Sequence, residues 1–80
     1  MTVQLKDDGV IALVGDCPSG EAEVLLQHLV RAPDAVIDWR GCQSAHTAVI
    51  QVLLVAGRVV KGPPAGAFLA DVVAPRLKQR

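Results

Sequence analysis

The stretch AVIDWRGCQSAHTAVIQVLLVAGRVV, residues 35–60, changes character twice, and those changes decide the fold. Ala35 to Ile37 is a short apolar run that reads as a strand and leads into Asp38, Trp39, Arg40 and Gly41. Small polar side chains follow. From Ala45 to Ala56 the sequence is apolar on almost every side of a helix, which predicts a helix buried against a sheet. Arg58 to Lys61, with Val59 and Val60, makes a last short strand. A strand, a helix and a strand in that order predict a parallel crossover with the helix packed on the sheet.

Toward the N-terminus, Thr2 to Lys6 alternates, with Val3 and Leu5 on one side and Thr2, Gln4 and Lys6 on the other, as in a half-buried strand. Asp7-Asp8-Gly9 is a hairpin signal, read as a type I′ turn with positive φ at both central residues. Val10 to Val14 is an unbroken apolar run, expected of a strand covered on both faces. Gly15 to Gly20, holding Asp16, Pro18 and Ser19, breaks that strand and offers a cap for the next helix. Ala22, Leu25, Leu26 and Leu29 then recur at helical spacing, which puts Glu21, Glu23, Gln27 and Arg31 outside. Pro33-Asp34 ends this helix.

Toward the C-terminus, Gly62-Pro63-Pro64 is a loop whose second proline can open a helix. Phe68, Leu69, Val72 and Val73 supply that helix's inner face, and Pro75 ends or kinks it near Ala74. The complete pattern is an α/β fold. It has a small mixed four-stranded sheet, an N-terminal antiparallel hairpin followed by βαβαβα, with helices packed on the sheet in one domain over residues 1–80.

Composition narrows the function classes. Eight basic and eight acidic side chains cancel, so the electrostatic footprint of a nucleic-acid binder is missing. With Trp39 and Phe68 as the only aromatics, no base-stacking platform can be built. Cys17 and Cys42 read as reduced thiols rather than a disulfide framework, which fits a cytoplasmic protein. The N-terminus carries Lys6, Asp7 and Asp8 where an export signal needs an apolar core, and the apolar run from Ala48 to Gly57 is too short to insert in a bilayer. Neither the cysteines nor His28 and His46 have the paired spacing of a zinc site, so no metal and no cofactor is expected.

In parallel sheets the loops after the strands' carboxyl ends share one edge, where sites are usually built. Residues 15–20, 38–46 and 61–64 are predicted to meet there, gathering Asp16, Cys17, Ser19, Asp38, Trp39, Arg40, Cys42, Ser44, His46, Thr47 and Lys61.

Residues 35–60 resemble the signature region of STAS domains, the fold of the anti-sigma-factor antagonists. Ala35-Val36-Ile37-Asp38 matches the family's strand and aspartate, His46-Thr47-Ala48-Val49-Ile50 falls at its Asp-Ser-Ala-Gly-Leu box, and Gln51-Val52-Leu53-Leu54 matches the helix that follows. VIALVGDCPSGEAEVLLQHL, residues 10–29, is similar to the family's second strand and first helix, and GRVVKGPPAGAFLADVV, residues 57–73, to its last strand and helix. His46 stands where relatives have an aspartate, and Val49 where they have a glycine. The resemblance implies a non-enzymatic, bacterial regulatory module in signalling and transcription control. Its partner would be an anti-sigma factor or regulatory kinase, or, for an accessory subunit of a lipid-transporting ABC complex, the transporter ATPase. It further implies that Thr47 is the phosphorylated hydroxyl, with Ser44 a second candidate. The implied interaction surface is Asp16, Asp38, Trp39, Arg40, His46, Thr47 and Lys61, on a monomer or weak homodimer.

Competing roles are open at several positions. Thr47 suits a helix cap as well as a switch, since a phosphate on a first helical turn and a capping hydroxyl use the same unpaired N–H groups. Cys42 and His46, four apart, could pair as thiolate and imidazole in a small thiol enzyme or sensor, or Cys42 could simply be a small apolar residue. Trp39 could anchor an interface or cover the end of the sheet.

Overall fold

Gly9, at φ 82°, is the residue that lets the first two strands meet. The computed structural model describes residues 2–77, and it begins with β1 (Val3–Leu5) paired antiparallel to β2 (Ile11–Cys17). Lys6 O accepts from Gly9 N at 3.0 Å and Lys6 N donates to Val10 O at 2.9 Å. Only Gly9 in this turn has positive φ, so the hairpin is a type I turn closed by a glycine bulge, not the type I′ turn expected from Asp-Gly. The Asp8 carboxylate steadies it by accepting from Val10 N at 3.1 Å.

The remaining elements are α1 (Glu21–Arg31), β3 (Ile37–Ala45), α2 (Thr47–Ala56) and β4 (Val60–Lys61), followed by a π-helical segment, Leu69–Val73, and a 3₁₀ turn, Ala74–Arg76. The strands lie in the order β1-β2-β3-β4, with β2–β3 and β3–β4 parallel. Both crossovers therefore advance across the sheet in the same direction, which puts α1 and α2 on the same face. The fold is the expected α/β arrangement with a mixed four-stranded sheet. The core sits between that face and the helices: Val3, Ile11, Leu13, Ile37, Trp39, Cys42 and Val60 from the strands, against Leu25, Leu29, Val49, Leu53, Leu69 and Val73.

Several local expectations change. β2 runs through Asp16 and Cys17, and β3 runs from Ile37 to Ala45, so residues 38–44 are strand where a loop was predicted, and Ala45, expected to open the second helix, ends the strand instead. The irregular sequence hid this because β3 holds two bulges against β2: Ala12 faces Asp38 but Val14 faces Gly41, and Gly15 faces Cys42 but Asp16 faces Ser44. Each extra residue shifts the alternation by one, which turns Cys42 inward after Ile37 and Trp39 in place of Gly41.

The sheet's other face is open. Ala12, Val14 and Asp16 point to it by alternation, and Val14 is half exposed, so β2 is not the doubly covered strand its apolar run suggested. Only Val49 and Leu53 of α2 are buried, while Val55 is 88% exposed, because a two-layer fold offers this helix a single surface to pack on. Similarly Leu69 and Val73 face inward while Phe68 and Val72 do not.

The junctions are fastened by polar groups. Arg58 donates to the carbonyls of Leu29 and Ala32 at 3.3 Å and of Ala35 at 3.4 Å, tying the end of α1 and the turn after it to the segment that follows α2. Glu21 was expected outside, yet it is buried and ties α1 to β1: its Oε1 accepts from Thr2 N and Thr2 Oγ1 at 2.8 Å and from Val3 N at 3.2 Å. At the same end, Gly20 supplies no side-chain cap; Pro18 O and Ser19 O take the first amides of α1 instead.

Candidate functional site

The start of α2 is seated on the end of β2. His46 N donates to Cys17 O at 2.8 Å, and His46, in extended backbone at φ −61° and ψ 149°, is the N-cap residue of the helix. Its Nδ1 accepts from Ala48 N at 3.1 Å, so the side-chain cap belongs to His46. Thr47 follows as the first helical residue, and it is exposed.

Thr47, Gln51 and Val55 are spaced by four and form one ridge along α2. Gln51 and Val55 are also one wall of a groove between α1 and α2, of about 590 Å³, whose other side includes Leu26 and Val30. Val30 is 73% exposed and Leu26 52%, so the groove presents apolar side chains to solvent from both helices. A hydroxyl at Thr47 thus stands one turn beyond the mouth of an apolar channel.

Of the residues read as one site, the structure brings together Asp16, Ser44, His46 and Thr47. Ser44 Oγ donates to Asp16 Oδ1 at 2.8 Å across the second bulge, so Ser44 is an exposed strand residue already engaged by a carboxylate. Asp38, Arg40 and Lys61 form a separate group. Asp38 lies near the start of β3, opposite Lys61; it pairs with Ala12 of β2 whereas Ser44 pairs with Asp16, four strand residues further on, which at the rise of a strand is roughly 13 Å. Arg40 Nε and Nη2 donate to the Asp38 carboxylate at 3.0 and 2.8 Å, and this holds its pKa down at about 2, helped by Arg40 N and by the nearby Lys61 charge. These three flank the open sheet face and do not adjoin Thr47.

Trp39 drops out of the surface altogether. It is wholly buried, facing the core from β3, and its Nε1 has no hydrogen-bond partner among the described residues. The proposed pairing of Cys42 with His46 is not formed either. Because β3 extends to Ala45, Cys42 points into the core while His46 is exposed with Nδ1 committed to Ala48. The neighbour of Cys42 is Cys17: their sulfurs are 3.9 Å apart, and Ser44 O, 3.4 Å from Cys42 Sγ, is the other acceptor within reach of the one Cys42 proton.

Sequence reasoning missed the groove, the Glu21 clamp and the two adjacent cysteines. The groove had a signal in the surplus of apolar residues on α2, more than one face can bury. The other two had none, since both depend on registers set by the bulges and by the β1–α1 approach. Among the described residues no group of three potential metal ligands gathers, and no helix is long and apolar enough to cross a membrane.

Comparison with family models, curated proteins and solved structures finds no match.

Proposed function

We propose that the chain is a non-enzymatic regulatory interaction module that docks a protein partner along the α1–α2 groove and over the start of α2, with Thr47 as its phosphorylation switch. One observation carries the proposal: the exposed hydroxyl of Thr47 heads the same helical ridge, through Gln51 to Val55, that walls the apolar groove. An apolar strip of this kind is an ordinary docking surface for an amphipathic segment. A phosphate at Thr47 adds about −1.5 to −2 charges at the helix N-terminus, where the helix dipole favours an anion. That charge beside the groove mouth disfavours an acidic or apolar partner.

The STAS resemblance gives the partner's class: an anti-sigma factor or related regulatory kinase, with the ATPase of a lipid-transporting ABC complex as the second candidate. Asp16, Ser44 and His46 frame the switch in this proposal, and Ser44 is a weaker phosphorylation site than Thr47 because Asp16 already occupies its hydroxyl.

The test is affinity capture from the source cell with the wild-type chain, Thr47→Ala, Thr47→Glu and Val55→Asp. A protein held by wild type and Thr47→Ala and lost from the other two supports the proposal, and its identity separates kinase from ATPase. Retention by all four chains alike contradicts it.

A further inference from the structure

Cys17 ends β2 and Cys42 lies within β3, its parallel neighbour. They are not direct partners across the ladder, since Cys17 faces Ala45 and Cys42 faces Gly15. What joins them is the first β3 bulge, which turns Cys42 to the core side of the sheet where Cys17 already points. Both are free thiols and both are buried, at 2% and 0% exposure. The sulfurs, at 3.9 Å, are in van der Waals contact. A disulfide is about 2.05 Å long, so closing the gap asks each sulfur to move about 1 Å.

The docking surface makes no use of these two side chains. We propose that Cys17 and Cys42 are a reversible dithiol–disulfide couple, oxidised within one chain by a hydroperoxide and reopened by a small dithiol.

Their environments assign the two roles. When the single Cys42 S–H turns from Ser44 O to the Cys17 sulfur it favours the Cys17 thiolate and lowers its pKa to about 7, against the opposing effect of burial. Cys42 is pushed up, first by serving as the donor to Cys17 and then by burial. The thiolate is the nucleophilic form, so Cys17 attacks and Cys42 resolves. In the first step the Cys17 sulfur attacks the terminal peroxide oxygen, the O–O bond breaks, and the leaving oxygen departs as water or alcohol after taking a proton. Cys17 is then a sulfenic acid. In the second step the Cys42 sulfur attacks the Cys17 sulfur, the S–O bond breaks, and the departing hydroxide leaves as water with the Cys42 proton. With hydrogen peroxide, two thiols and one peroxide become one disulfide and two waters.

The experiment treats the folded full chain with hydrogen peroxide, removes the oxidant, then unfolds, alkylates with iodoacetamide and weighs the product. The expected product is monomeric, two hydrogens lighter, free of alkylation, and returned to two alkylatable thiols by dithiothreitol. Cys42→Ser is expected to stop at an oxidised Cys17, and Cys17→Ser to keep Cys42 as a thiol at the same dose. Two alkylated cysteines in treated wild type, a cross-linked dimer, or equal oxidation of the two serine variants would overturn the proposal. The rate for wild type gives a check that needs no variant. It is expected to rise about tenfold from pH 6 to pH 8 and then level off, as for a thiol with its midpoint near 7, whereas a continued climb through pH 9 marks two ordinary cysteines.

Discussion

The Glu21 carboxylate accepts from both the backbone nitrogen and the hydroxyl of Thr2 through one oxygen, each at 2.8 Å. Three donors on a single carboxylate oxygen, counting Val3 N, pin the first turn of α1 to the edge strand. The Thr2 hydroxyl is the largest cause of the lowered Glu21 pKa, and a carboxylate with a depressed folded pKa stabilises the protein above its unfolded value. That contribution fades as pH falls through the folded pKa. Glu21→Ala is therefore expected to lose about 1–2 kcal/mol near neutral pH, a charged hydrogen bond discounted for its partial exposure. Urea titrations at pH 7 and in acid check this, with the difference between wild type and variant shrinking in acid.

Gly66 approaches the sheet more closely than any side chain permits. A Cβ there would overlap the carbonyl oxygen of Gln43, the extra residue of the second β3 bulge, and Gly66 N donates to Cys42 O at 3.0 Å. The obstacle is backbone, which cannot swing aside. Gly66→Ala is expected to cost about 1–3 kcal/mol or more, read as a lower urea midpoint and a loosened Leu69–Val73 segment.

His46 caps α2 with a ring nitrogen, a weaker cap than a carboxylate at the same place. Replacing it with aspartate adds a negative charge at the helix N-terminus as well as a better acceptor. Thermal or chemical unfolding is expected to show His46→Asp more stable than wild type by about 0.5–1 kcal/mol, and His46→Ala less stable by a similar amount.

How much of this could be seen in the sequence follows from which signals are local. The Val3/Leu5 alternation, the 3.6-residue spacing of Leu25 and Leu29, and the strand–helix–strand order of residues 35–60 are local, and they fixed the mixed sheet and its helices. The length of β3 was hidden because two bulges break the period that marks a strand, and the first of them turns Cys42 inward in place of Gly41. The site was half legible for the same reason. Asp16, Ser44, His46 and Thr47 come together at the carboxyl end of the strands, whereas Asp38 and Arg40, read as loop, are strand residues near the far end. Glu21 was misplaced because its helical phase said nothing about the edge strand alongside.

Val55 separates stability from binding. At 88% exposure it contributes little to the core, so Val55→Asp is expected to change unfolding stability by less than about 0.5 kcal/mol. In the groove the same change puts a charge where an apolar partner must pack, and at least a tenfold loss of partner affinity is expected, or about 1.4 kcal/mol. Paired unfolding and binding measurements on one preparation check both halves.

Calorimetric titration of the captured, purified partner into wild type, Thr47→Ala and Thr47→Glu bears most directly on the switch at the head of the α2 ridge. Wild type and Thr47→Ala are expected to bind within a factor of about two of each other, and Thr47→Glu at least tenfold more weakly, a gap of about 1.4 kcal/mol. Equal affinity for all three chains would contradict it.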